Sequence, residues 1–413
     1  MKRILWLSNI RFSNEGLKGT GTWLQPLAAS LTPYYEIYHV CCGNVKLIKC
    51  ETVGDIKQFI IPYRKTLNNT QIPDRLSCSD VRTILEEVKP DLIHVWGTES
   101  KWAYMKVLGV FGAHKTLLDM QGFLQSCYES YYAGLTLNER LQCYGLKEIF
   151  RPSSSICANK RLLLKKSMVE NEILKAYDNI SYQSEWIYNR LLGIGLNAKL
   201  YKTKIIIRSE FFNHQWRRPD NSSLVIFTSA AVAHPYKGLH ILIKACSILK
   251  QKYPDFILYV AGRIMVKSYG ILNGYESYLA YLIKKYRMNS NVKFLGPLSA
   301  EDMVAYQLKS NVCIVPSAVE SYCLGLAESL TLGLPSVVSY SAAMPTIARD
   351  KEEVLFYSPL DYVDCAAKVI QIYESQSLSN SLSVNSRKRR ILENKKEMVV
   401  EAQLEIYKSI LEC

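Results

Sequence analysis

Val312-Cys-Ile-Val-Pro-Ser-Ala-Val-Glu320 opens on consecutive apolar residues and breaks at a proline. Ser321-Tyr-Cys-Leu-Gly-Leu-Ala-Glu-Ser-Leu-Thr-Leu332 follows, and Gly333-Leu-Pro-Ser-Val-Val338 closes the stretch. The first run reads as a buried strand, Leu324–Leu332 as a helix ended by a glycine, and Ser336–Ser339 as the next strand. This is one complete strand–loop–helix–strand unit, the crossover that joins parallel strands. Glu320 falls in the loop and Glu328 in the helix, roughly 12 Å further on at 1.5 Å rise per residue. Two glutamates at that spacing can be surface carboxylates. Glu328 is flanked by Leu326, Ala327, Leu330 and Leu332, however, and a carboxylate near such a core needs a partner, which a ribose diol would supply.

Outward from this block the same alternation recurs. Ile4–Leu7, Ile37–Cys42, Phe59–Ile61, Leu92–Trp96, Thr116–Met120, Asn179–Tyr182 and Ile205–Ile207 read as strands separated by amphipathic stretches. A second series begins at Leu224–Thr228 and continues through Ile257–Ala261, Val292–Leu295, Val312–Val315, Ser336–Ser339 and Val354–Tyr357. Strands alternating with helices predict parallel sheets, hence an α/β protein with two doubly wound, Rossmann-like domains. The polar, aperiodic segment His214–Ser223 with Pro219 reads as the connection. The predicted domains are 1–217 and 218–395, with a C-terminal helix at about 396–413 returning to the first. Ligands of such sheets bind in the loops at the carboxyl ends of the strands, here expected to face an interdomain cleft.

Bulk composition limits the partners. The 413 residues carry 51 Lys+Arg against 37 Asp+Glu, a net +14 shared equally by residues 1–200 and the remainder, so there is no basic tail and no nucleic-acid partner is expected. The surplus suits phosphorylated substrates or an anionic membrane surface. The basic, helical segment 139–175 is either a solvated face or a foot on anionic lipid, where each cation adds roughly 1 kcal/mol; the cluster at Arg387–Arg390 carries the same ambiguity. Twelve cysteines form no CxxC pair and the six histidines no ligand cluster, so no metal or cofactor is expected and a reducing cytoplasm fits. No run of about 18 apolar residues occurs, so any membrane contact is peripheral.

The Glu320-x7-Glu328 pair, between a strand ending in Pro-Ser and a Gly-x-Pro-x-Val strand, resembles the retaining glycosyltransferases of family 4, which have the GT-B fold. So does Leu224–Ser229 followed by His234-Pro-Tyr-Lys-Gly238, and the first strand followed by Gly19-Thr-Gly-Thr-Trp23. The resemblance implies a metal-independent hexosyltransferase that uses a nucleoside diphosphate-sugar on a glycan or polyprenyl-linked acceptor, in bacterial surface polysaccharide biosynthesis. It assigns Glu320 to the donor sugar, Glu328 to the ribose, and Lys237 with Gly238 to the departing diphosphate. Ser317, Ser321, Cys323 and Leu324 would complete the donor site, the last two through amides at a helix N-terminus. Gly19, Thr20, Gly21 and Gln121 would form a phosphate or acceptor loop.

The chain departs from the family pattern at four places. Ala231 and Val232 stand where an arginine is common, Gln121-Gly122 where a histidine is, Cys323 where a glycine is, and Ala342-Ala343 where a Gly-Gly pair is. Two other readings stay open: a nucleoside-diphosphate-sugar epimerase on the same fold, and a carbohydrate-binding protein without turnover.

Overall fold

The computed structural model describes residues 1–15, 21–220, 223–230, 234–262 and 274–412. The chain divides into two compact units. The first comprises Met1–Gln125, Leu162–Ile206 and Asn394–Cys413, and the second Ser126–Arg161 and Ile207–Glu393.

The first unit is built on eight strands: β1 (Arg3–Leu7), β2 (Glu36–Gly43), β3 (Lys49–Val53), β4 (Ile56–Pro62), β5 (Leu92–Trp96), β6 (Lys115–Asp119), β7 (Asn179–Tyr182) and β8 (Lys199–Lys202). Their order is β3-β4-β2-β1-β5-β6-β7-β8, parallel except that β3 runs antiparallel to β4. Every residue of β5 is buried, the mark of a strand covered on both faces. The edges differ: β3 (Lys-Cys-Glu-Thr-Val) and β8 (Lys-Leu-Tyr-Lys) are largely solvated and carry lysines. Lysines at an edge discourage further strand pairing, and they also erase the apolar run by which a strand is read. Ile205–Ile207, expected as a strand, belongs to none. Its three residues are buried in a connecting segment, where they produce the same apolar signal without pairing. The last helix, Lys396–Leu411, is tied in by Tyr407, whose hydroxyl accepts from Trp6 Nε1 at 2.8 Å and lies 2.7 Å from His94 Nδ1. Burial holds His94 neutral, a core histidine.

The second unit holds β9 (Val225–Thr228), β10 (Ile257–Ala261), β11 (Val292–Gly296), β12 (Val312–Val315), β13 (Ser336–Ser339) and β14 (Leu355–Tyr357), all parallel, in the order β11-β10-β9-β12-β13-β14. The order reverses between β9 and β12, the switch point at whose carboxyl ends ligands of such sheets bind. The described part of the connection is anchored here at Trp216, which is buried, its amide donating to Leu332 O and its indole to Ser310 O, both at 2.8 Å. The segment Ser126–Arg161 packs on the same unit, through Lys244 to Glu139 at 2.5 Å and His240 Nε2 to Ala133 O at 2.9 Å. Among the described residues no helix is long and apolar enough to cross a membrane.

Candidate active site

The loops at the carboxyl ends of β9 and β12, with the helix that follows the second, carry the predicted donor residues. After β9 the chain makes a single 3-10 turn, Pro235–Lys237, closed by Gly238 at φ 73°. A side chain on Gly238 would place its Cβ 1.9 Å from the carbonyl oxygen of Pro316, so only glycine allows this turn to touch the loop after β12. The touch is secured by the Ala318 amide donating to Tyr236 O at 2.8 Å. It sets Lys237 Nζ 2.6 Å from Glu320 Oε1, and the Ser317 hydroxyl donates to the same oxygen at 2.8 Å. The two charged side chains retain 25% and 15% of their exposure, enough for a ligand to reach them. Burial works against the Lys237 charge, but the adjoining Glu320 carboxylate outweighs it and raises the ammonium pKa. Lys237 is therefore a permanent positive charge at the switch point of the sheet.

Ser321 lies in the same loop, and Cys323 caps the helix Leu324–Leu332 at φ 63°, in the left-handed region. The first amides of this helix have no partner within it and carry the positive end of its dipole. Gly325 lets the first turn lie against the end of β9, since a Cβ there would meet Ser229 Oγ at 2.4 Å. One turn on, Glu328 is buried, with only 3% of its side chain exposed. It is held by Arg208, Nε to Oε1 at 2.7 Å and Nη2 to Oε2 at 3.0 Å. Burial raises the Glu328 pKa and Arg208 opposes the rise. Forked pairing of this kind fixes a carboxylate in one orientation while leaving a lone pair on each oxygen for a further donor.

Lys237, Gly238, Ser317 and Glu320 thus come together, with Cys323 and Leu324 opening the helix beside them, while Glu328 contacts Arg208 rather than Lys237. Sequence reasoning did not find Arg208, which is 120 positions from its partner and lies in no motif. Of the expected phosphate or acceptor loop, Gly19 and Thr20 lie outside the described residues. Gly21 takes φ 75° with Ile10 packed against it. Gln121 belongs to the first unit, where its amide donates to Asp119, the last residue of β6. Asp119 also accepts from Ser181 at 2.7 Å and Gln183 at 2.5 Å, and burial pushes its pKa up to about 7. Among the described residues no three His, Cys, Asp or Glu side chains are grouped to hold a metal ion.

The two expected glycine departures share a feature. Cys323 at φ 63° and Ala342 at φ 47° both keep the left-handed backbone that a glycine would adopt freely. The neighbouring Ala343 amide donates to Glu320 O at 3.1 Å, so the loop after β13 also braces the site.

Residues 209–389 match the family described as glycosyl transferases group 1. Over 345 residues the chain is 21% identical to the O-antigen chain mannosyltransferase RfbU of Salmonella typhimurium, covering 80% of this chain and 81% of that protein. It is 32% identical over 122 residues to the uncharacterized glycosyltransferase YqgM of Bacillus subtilis, a match spanning 29% of this chain and 32% of that protein, well under two thirds of its length. The sucrose-phosphate synthase of Thermosynechococcus elongatus superposes over the whole of both chains with a TM-score of 0.75 at 15% identity. Anabaena HepE in complex with UDP-glucose does so with a TM-score of 0.67 at 13% identity. Residues 209–389 thus match the glycosyl transferases group 1 family, in a chain whose two sheet-based units have the fold of the GT-B glycosyltransferases.

Proposed function

We propose that the protein transfers a sugar from a nucleoside diphosphate-sugar to a hydroxyl of a glycan or lipid-linked acceptor, with retention at the anomeric carbon and without a metal. The observation that carries this reading is the Lys237–Glu320 contact at 2.6 Å, at the switch point of the second sheet and beside a helix N-terminus. In this contact each charge holds the other in place. A donor diphosphate would take Lys237 over, together with the amides after Cys323, and release Glu320 to accept from sugar hydroxyls. Glu328, oriented by Arg208, would accept from the ribose. As the bond from the anomeric carbon to the phosphate oxygen breaks, its electron pair stays on the diphosphate. Lys237 and the helix amides stabilise that charge. The acceptor oxygen bonds to the same face of the oxocarbenium-like sugar, and its proton passes to the departing phosphate oxygen. The names of RfbU and HepE, an O-antigen chain mannosyltransferase and a protein crystallised with UDP-glucose, support a polysaccharide pathway and make uridine diphosphate sugars the first donors to try.

Thermal unfolding with UDP, GDP and their sugars tests binding, since a ligand at 100 times its Kd adds about 2.7 kcal/mol. Release of nucleoside diphosphate in the presence of acceptor then tests turnover. Lys237→Met should lower it about 10²- to 10³-fold with the unfolding temperature kept. A Lys237→Met protein as fast as wild type removes the phosphate role. Donor consumption without acceptor would make the protein an epimerase, and binding without diphosphate release a binding protein.

A further inference from the structure

Within the part of the second unit that precedes its sheet, Leu137–Gln142 and Leu146–Phe150 are short helices followed by the start of the helix Ile156–Ala176. Leu137, Leu141, Ile149 and Phe150 are 73%, 69%, 67% and 81% exposed, and Tyr144 is exposed as well. Leu137 and Leu141 are four residues apart in the helix Leu137–Gln142, which puts them on one side of it, and Tyr144 follows just past its end. Single exposed apolar residues are ordinary, but this many large ones within so short a stretch mark a contact surface.

The charges of the segment are sorted by sign. Its two acids point inward. Glu139 is bonded to Lys244 at 2.5 Å and Tyr278 at 2.7 Å, which with other partners holds its pKa down at about 2 against the effect of burial. Glu148 is buried and accepts from the amides of Gly145 and Gly274 at 3.0 and 2.8 Å. The cations stay outside: Lys147, Arg151 and Arg161 form no ion pair among the described residues. Arg140 and Lys160 rest on the Tyr132 ring at 4.0 and 4.5 Å, a contact that leaves their charge unneutralised.

From this sorting we infer that residues 137–161 dock on an anionic lipid surface, the apolar side chains entering the headgroup boundary and the unpaired cations meeting lipid phosphates. Interleaved basic and exposed apolar side chains on short helices are what such a surface binds. A second copy of the chain would bring five cations against five, and nucleic acid would leave the aliphatic residues in water. The surface shares no residue with the donor site, so the two proposals stand or fall separately.

Flotation of the full chain with phosphatidylglycerol or phosphatidylcholine vesicles tests the inference. Binding is expected to the anionic vesicles only. The double substitution I149S/F150S should weaken it tenfold or more, and R151S/R161S should reduce it and flatten its salt dependence. Unchanged unfolding temperatures and an unchanged thermal shift with nucleotide would show that both variants are folded. Equal binding to both vesicle types, no binding to either, or binding indifferent to these substitutions overturns the proposal. So does a concentration-dependent dimer that I149S/F150S abolishes, which would assign the face to a second copy.

Discussion

Two pairs of acids, one pair in each unit, are held in opposite ways. In the second, Glu320 and Glu328 each face a cation, Lys237 and Arg208. In the first, Asp119 and Glu170 are fully buried among neutral donors. Glu170 accepts from the Thr98 hydroxyl at 2.5 Å and the Leu124 amide at 2.8 Å, and burial drives both carboxyl pKa values up to about 7. A cation beside a carboxylate keeps it charged and oriented for a hydroxyl-bearing ligand. Neutral donors hold a loop together and leave its protonation to pH. The paired acids belong to the proposed chemistry, and the unpaired ones to the support of the loops after β5 and β6.

Removing a cation is the most drastic way to break this contrast. Arg208→Met strands a carboxylate that is 3% exposed, and an uncompensated buried charge costs about 3–5 kcal/mol. Chemical denaturation should show a loss of that size, largely recovered by adding Glu328→Gln, because the amide has no charge to compensate. Nucleotide binding should not recover in the double variant. An Arg208→Met protein as stable as wild type would mean that the pair is not what holds Glu328.

The unpaired acids should respond to pH instead. Asp119 has a folded pKa of about 7, above its value in an unfolded chain. Between about pH 4 and pH 7 the folded state therefore binds the extra proton, and stability falls as pH rises through that window. At about 1.36 kcal/mol per unit, the loss attributable to this group reaches roughly 4 kcal/mol at most. Asp119→Asn removes the titration, so its stability relative to wild type should improve steadily across the window and level off above it. A constant difference between the two proteins from pH 4 to pH 8 would show that Asp119 is ionised throughout.

Legibility in the sequence followed the same division between local and distant partners. β12, the helix after it and β13 are a contiguous run in which apolar strands, a glycine stop and Gly-x-Pro are all local signals, so the loop that carries Glu320 is legible in the sequence. Lys237 is singled out by the resemblance of the Lys-Gly block after β9 to the family pattern, and the structure sets it in a 3-10 turn closed by Gly238. Arg208 is not singled out, since a pair closed over 120 positions leaves no trace in either neighbourhood. The edge strands Lys49–Val53 and Lys199–Lys202 were missed because half-solvated lysine-bearing strands have no apolar run, and Ile205–Ile207 was over-read because a buried connection has one. Membership of Ser126–Arg161 in the second unit rests on contacts such as Glu139 with Lys244, again invisible along the chain.

Backbone strain offers the finest probe of the paired site. Cys323 and Ala342 hold left-handed conformations at the two loops that frame Glu320, and each costs about 1–2 kcal/mol that a glycine would not incur. A glycine also gains more freedom in the unfolded chain, which returns part of that difference. Cys323→Gly and Ala342→Gly should therefore each stabilise the protein by a net of about 0.5–1 kcal/mol, read as an upward shift of the denaturation midpoint at constant slope. They are far enough apart in role to be separated by binding: only Cys323 stands at the N-terminus of the helix Leu324–Leu332, where removing a side chain lets a phosphate approach the amides more closely. Tighter nucleoside diphosphate binding in Cys323→Gly, with Ala342→Gly unchanged, would locate the diphosphate at that helix. Equal effects of the two substitutions on binding would place it elsewhere, and a loss of stability in either would show that the side chain's packing outweighs the strain it imposes.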